Sequence, residues 1–459
     1  MLHNAGKNRP RNSQKPGKNI AIIGSGITGL SAAWLLSKTH NVTLYEKENY
    51  LGGHAHTVDI SVDDKTFPVD TGFIVYNPAN YPNLTALFDH LDIASVKTDM
   101  SFSVSMDDGR FEYSGGDGGG LFAQPGNFFR PRFWSMIGGI VRFYDKAAQY
   151  CTDPSYSHMT LGELLSSEGY SPSFVRDHLG PMGAAIWSSN SQDILEYPAV
   201  SFLNFFRNHG LVQLRNRPEW RTVAGGSREY VKAVSHSFQD NIRLACAAME
   251  VTRLNNGIRV RSSNGDISIF NEVVFACHSD QALALINHPA PELAHALRYL
   301  RYSKNSVVLH TDTELMPKRT KAWASWNYIE HKQADTKGPS VSYWMNRLQP
   351  LPVETPVIVT LNPNRDIDPD KVLQRYAYDH PVFDQNAALA RQRLWALQGR
   401  HNFWFAGAYL GHGFHEDGIQ AGLSVAEMIG SPSRPWQKPA QNARIGLPDT
   451  LTTIYQGVA

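Results

Sequence analysis

Three glycines and a glutamate carry the first chemistry legible in this chain. Gly24, Gly26 and Gly29, with Ile27 and Thr28 between them, form a GxGxxG turn. Such a turn binds an anion, because a helix that starts inside it leaves backbone N–H groups and its positive dipole end facing outward. Gly24 permits the tight turn and Gly26 lets the backbone approach a diphosphate. Gly29 lets the helix pack closely on the preceding strand. Glu46, followed by Lys47, stands twenty-two residues after Gly24. A carboxylate at that distance accepts hydrogen bonds from a ribose diol. Its charge would repel a 2′-phosphate, which argues against NADP at this turn.

Those residues need elements to hold them. Residues 20–23 read as an apolar strand, 30–36 as a helix and 42–45 as a second strand. The order strand, turn, helix, strand, acid is the opening of a Rossmann-type dinucleotide site. The doublet Gly52-Gly53 and His54 come next, and alternation at 58–62 and 67–70 around Asp63-Asp64 predicts a β-hairpin ending in Asp70-Thr71-Gly72-Phe73.

The pattern GxGxxG…E…GG resembles the two-dinucleotide-binding motif of the flavin-containing amine oxidase superfamily, with its amine oxidases, protoporphyrinogen oxidase and phytoene desaturases. The resemblance implies an α/β protein: a Rossmann-like FAD-binding domain interrupted by an α+β substrate-binding domain. It implies FAD as cofactor, with Gly52 and Gly53 approaching the diphosphate from its other side. His54 stands where many members have Arg. Thr71 and Gly72 become isoalloxazine neighbours, and Val251 an adenine contact through its backbone. The strand-and-turn 403–407 resembles the superfamily's C-terminal flavin motif, followed by a glycine- and histidine-rich run at 411–418 and a helix from Ile419. This adds Gly407, Asp417, Gly418 and Ile419 to the cofactor set. Ala408 occupies the position of the usual acid, so the ribityl contact falls to Asp417 or to backbone. No cysteine lies in that segment, so the FAD is expected to be noncovalent.

Composition bounds the rest. At 459 residues, 42% of them hydrophobic and 19% charged, the chain is globular and large enough for two or three lobes. A net charge of +1 gives no electrostatic case for nucleic acid. Cys151, Cys246 and Cys277 are scattered, so neither a disulfide framework nor a zinc site follows. His412, His415 and Glu416 are metal-ligand types, but their place ahead of a flavin-type helix points to structural or substrate-side roles, and no metal is expected. The expected organisation is a disordered basic tail at 1–17, a FAD-binding domain of 18–75, 216–290 and 396–430, a substrate-binding domain of 76–215 and 291–395, and a proline-rich C-terminal extension at 431–459 that wraps the surface. No apolar run is long enough to span a bilayer. The expected location is the cytoplasm, with peripheral contact at the inner membrane face left open.

The substrate module is aromatic. Phe133, Met136, Ile137, Ile140, Val141 and Tyr144 share one helical face. Phe122, Phe128, Phe129, Arg130 and Arg132 precede them. This stretch reads either as a core-facing helix or as an interfacial patch of aromatics and arginines. Strands at 242–245, 248–254, 258–262 and 267–269 resemble the middle of the FAD domain. Lys304 lies near the place where many amine oxidases carry a lysine that holds water. The blocks RYSKNSVVLHTD, AWASWNY and SYWMNRLQ resemble a bacterial subgroup associated with cyclopropane-fatty-acyl-phospholipid synthase-type methyltransferases. This implies hydride transfer from a membrane-lipid acyl chain or other apolar small molecule to flavin N5, with such a methyltransferase as partner. Oxidation of a small amine is one alternative. A flavoprotein partner without its own turnover is the other.

Overall fold

The computed structural model describes residues 17–115, 119–187, 193–213, 217–331 and 339–448. Most of the expected basic tail, part of the glycine-rich loop after residue 115 and the end of the C-terminal extension lie outside the described residues.

Strand β1 (Asn19–Ile23) and strand β2 (Asn41–Tyr45) flank helix α1 (Ile27–Leu36), as the apolar runs require. The five strands of the first sheet run Phe403–Phe405, Glu272–Phe275, β1, β2, Ile242–Arg243, all parallel. Helices cover both faces of such a sheet, which explains why its central strands are mostly apolar instead of alternating. Every residue of α1 is buried, because the helix lies between this sheet and the C-terminal helix His415–Ile429. Small residues set that contact. A Cβ on Gly422 would stand 2.4 Å from Ser31 Oγ, and one on Gly418 would stand 2.8 Å from Ile27 Cγ2. The strands Ala248–Leu254, Gly257–Ser262 and Ile267–Phe270 form an antiparallel meander beside it.

The second sheet has seven strands in the order Val372–Pro381, Tyr302–His310, Ile358–Leu361, Ser340–Trp344, Trp326–Ile329, Phe102–Met106, Phe111–Gly115. Neighbours are antiparallel except for the pair Trp326–Ile329 and Phe102–Met106. The hairpin of β3 (Thr57–Val62) and β4 (Lys65–Asp70) packs on this sheet through Ile60, Phe67 and Val69. A helical layer forms a separate apolar core with Val104, Phe111 and Tyr113.

Two expectations need correction, on helix α3 and the C-terminal extension, and the core of the first sheet draws on further segments. The first core extends past the expected boundaries at 76, 290 and 396: helix α2 (Pro82–His90) and the helices Pro291–Arg298 and Gln385–Ala396 bury Leu84, Leu87, Leu293, Leu297 and Leu394 in it. Helix α3 (Pro131–Thr152) is longer than the stripe read from the sequence, so its core-facing line runs through Phe133, Met136, Ile140, Phe143, Ala147 and Tyr150. Val141 therefore turns outward. The C-terminal extension does not merely wrap the surface. Ile445 is fully buried, Arg434 is buried on Glu427, and Trp436 stacks on Trp34 at 5.8 Å. No described helix is long and apolar enough to cross a membrane.

Candidate functional site

The glycine turn sits at the C-terminal end of β1, where parallel sheets bind ligands. Gly24 has φ +103° and donates to Tyr45 O at 2.9 Å, which closes the turn onto β2. A Cβ on Gly29 would stand 1.9 Å from Gly24 O, so α1 can approach the strand only with glycine there. Around Gly26 the structure is open: nothing lies within 4 Å of where its Cβ would be, except as its neighbours in the chain dictate. Gly26 is also the N-cap of α1, with no side-chain cap and no acid in the first turn. The doublet closes on it from the other side. Gly52 N donates to Ser25 O at 3.0 Å, and a Cβ on Gly53 would lie 3.2 Å from Gly26 Cα. Glu46 is buried and accepts from Ser25 N at 2.9 Å and from Ser25 Oγ at 2.5 Å. Lys47 stays exposed beside Glu48.

Beyond the doublet lies a group of imidazole and phenol rings that the sequence does not bring together. His54 sits 5.0 Å from Tyr378, 5.6 Å from His380 and 6.2 Å from His278, centroid to centroid. Burial holds its pKa well below the ordinary value, as does the neighbouring His380, so it is a neutral hydrogen-bonding group and not a substitute for a guanidinium charge. Thr71 Oγ1 and His56 Nδ1 both meet Tyr378 Oη, at 2.7 and 2.9 Å. Gly72 is forced by contact: a Cβ there would stand 2.2 Å from His54 O. Phe73 stacks on His415 at 3.6 Å, and His415 Nε2 meets Tyr230 Oη at 3.0 Å. Burial pushes the His415 pKa down to about 3.

The C-terminal segment supplies the opposite wall. Gly407 is extended, with the Tyr409 ring folded back so closely that a Cβ would lie 2.2 Å from it. Asp417 is buried, accepting from Phe414 N at 2.8 Å and from Arg444 Nε at 2.7 Å. Glu416 reaches sideways and caps α2, accepting from Asn83 N and Leu84 N at 3.1 Å each. Gly418 and Ile419 are buried against α1 and the core. Arg444 and Asn83 were not anticipated. The available signal was one of two arginines in a proline-rich tail, which carries no address. Val251 is buried, pairs with Val260 and accepts from Asn287 N at 2.9 Å through its carbonyl. Lys304 is exposed on its strand, while Asn305 points inward to Asn362. No group of three metal-binding side chains occurs among the described residues.

The helical layer reaches this wall through aromatic rings. Trp187 meets Phe205 at 4.8 Å, and Phe205 stacks on Phe414 at 4.8 Å, immediately before the C-terminal helix. The residues fit a dinucleotide. The start of α1 is open and uncapped, Glu46 lies at the end of β2, and His54 Nε2, His278 Nδ1 and Tyr409 Oη are buried polar atoms without partners among the described residues.

A protein-family profile described as an NAD(P)-binding Rossmann-like domain matches residues 22–91. Among solved structures, the chain resembles a fatty acid isomerase from P. acnes that produces CLA: TM-score 0.64 and 14% identity, over 91% of this chain and 99% of that one. It also resembles a double mutant of putrescine oxidase made to redesign cofactor binding, with TM-score 0.63 and 14% identity over 90% and 99% of the two chains. Cyclohexylamine oxidase from Brevibacterium oxydans IH-35A gives TM-score 0.63 and 15% identity over 90% and 99%. These likenesses establish a shared fold across nearly the whole length.

Proposed function

We propose that this protein is a FAD-dependent oxidoreductase acting on a membrane-lipid acyl chain, working with a cyclopropane-synthase-type methyltransferase. The observation that carries the cofactor is the uncapped start of α1 at Gly26, closed over by Gly53 and flanked by Glu46. When bound, FAD supplies a two-electron acceptor for hydride from a substrate C–H. The N–H groups at the start of α1 would hold the diphosphate and Glu46 the ribose. His54 can add a neutral hydrogen bond through Nε2. Cys277, the last cysteine of the chain, precedes the C-terminal segment, which supports noncovalent binding.

The acyl-chain reading is supported by the aromatic layer from Trp187 through Phe205 to Phe414, which offers apolar contact and excludes water beside the cofactor wall. Loss of hydride and a proton from adjacent carbons would leave a carbon–carbon double bond. The fatty acid isomerase has this fold and acts on a fatty acid, and the resemblance of the sequence blocks to methyltransferase-associated flavoproteins supports the same reading. The likeness to putrescine oxidase and cyclohexylamine oxidase favours a second reading, oxidation of a small amine. The exposed position of Lys304 counts against it.

The test is a mass-spectrometric profile of total acyl chains from cells lacking the gene and from cells with it restored, beside a flavin spectrum of the purified protein before and after acid precipitation. The expected result is acid-releasable flavin and a two-hydrogen mass difference in methylated or cyclopropane chains. Flavin reduced by amines, with an unchanged acyl profile, would transfer the proposal to amine oxidation. Flavin that neither class reduces would leave a cofactor-bearing partner of the methyltransferase.

A further inference from the structure

We propose that the exposed aromatic surface of Phe122, Phe128, Phe129 and Trp134 docks on an anionic phospholipid bilayer. Phe129 is 83% exposed, Phe128 54%, Trp134 45% and Phe122 40%. Single exposed aromatics are ordinary, but these touch one another. Phe128 lies 5.5 Å from both Phe129 and Trp134, and Phe122 lies 6.4 Å from Phe128 and from Trp134. They form one contiguous apolar patch.

The patch is held by the fold. Trp134 Nε1 donates to Phe128 O at 2.8 Å, and Phe122 packs 5.8 Å from the buried Phe133. Along the outer face of α3 the apolar surface continues to Val141. Among the described residues, this cluster stays exposed while its neighbours are packed.

Charge identifies the partner. Arg110, Arg130, Lys318 and Lys321 lie around the patch and have no carboxylate partner among the described residues. Arg130 Nη1 donates to Arg110 O, Lys318 lies over Gly109, and the short turn Thr320–Ala322 that carries Lys321 packs on Gly120–Phe122. The nearby carboxylates have partners of their own: Asp177 pairs with Arg132 and Arg176, Asp107 with Arg132, Glu112 with Arg319 and Asp108 with His331. Unpaired cations around a ring of aromatics match phosphate headgroups above acyl tails. A two-fold dimer through this face would set the same cations against one another. Docking here does not require the acyl-chain reading, and bilayer binding without acyl turnover would leave it standing.

The experiment is co-sedimentation of the full chain with vesicles of phosphatidylcholine containing phosphatidylglycerol, against phosphatidylcholine alone. Binding should prefer the anionic vesicles and weaken with salt. Phe128→Ser with Phe129→Ser, both exposed and so compatible with folding, should reduce partitioning on the order of tenfold. Arg110→Gln and Lys321→Gln should each reduce it about fivefold. Equal binding to both vesicle types overturns the proposal. So does anionic binding that the phenylalanine variant leaves intact, or a dimer in sedimentation velocity that the same variant dissolves.

Discussion

Helix α1 and the C-terminal helix His415–Ile429 lie against each other, yet their N-termini are finished in opposite ways. The start of α1 has glycine at the cap, no acid in its first turn and open space beside Gly26. The start of the C-terminal helix carries Glu416 and Asp417. One caps another helix, and the other bonds the local backbone and Arg444. Each helix presents the same partial positive charge. At α1 no side chain caps that charge, and at the C-terminal helix Asp417 accepts from Phe414 N. Resemblance treated both ends as cofactor-facing. In the structure the first turn of α1 holds no carboxylate, whereas the first turn of the C-terminal helix holds two.

The largest test breaks the satisfied end. Arg444→Met leaves Asp417 buried without its cation, and stability in chemical denaturation should fall by about 3–5 kcal/mol. Adding Asp417→Asn should recover much of that loss. No loss on Arg444→Met would mean that the ion pair does not hold this end. At the open end, two glycines separate packing from binding. Gly29→Ala drives a Cβ against Gly24 O and should cost about 1–3 kcal/mol, with loss of bound flavin. Gly26→Ala meets nothing and has φ −63°, so its unfolding free energy should stay within about 0.5 kcal/mol of wild type while flavin retention falls. Full flavin occupancy in Gly26→Ala would remove this turn as the diphosphate site.

A further effect concerns protons near the satisfied end. Burial pushes His412 down to about 4 and His415 to about 3, against an ordinary value of about 6.5. The unfolded chain therefore binds more protons across that interval. Stability should be complete above pH 6.5 and should fall as pH drops toward 4, by up to roughly 1.4 kcal/mol per unit for each histidine. A protonated His415 would also oppose the dipole of the helix it begins. Melting temperature against pH, compared with that of His412→Gln, checks the slope. An unchanged slope in the variant would show that His412 is not among the groups that titrate.

Legibility followed range. The three glycines, Glu46, the hairpin and the meander depend on residues within about twenty positions of each other, and their elements match the sequence reading closely. Helix α3 was legible as a helix with its core face, except that Val141 turns outward, because only neighbours decide how far an apolar stripe is covered. The group of His54, His278, Tyr378 and His380 spans three distant segments and was not foreseen. Nor was Arg444, which crosses from the tail to Asp417.

By itself, then, the sequence determined what local sterics and periodicity govern: a glycine turn that opens a helix, the apolar strands around it, and a module rich in aromatics. Tertiary structure alone decided which helix start stays open, which aromatics remain on the surface and which carboxylates are consumed inside. Those outcomes depend on hydrogen bonds and packing between segments, some of them hundreds of positions apart, as Glu416 and Asn83 are. No local pattern encodes them, because a side chain's partner is set by where the whole chain folds.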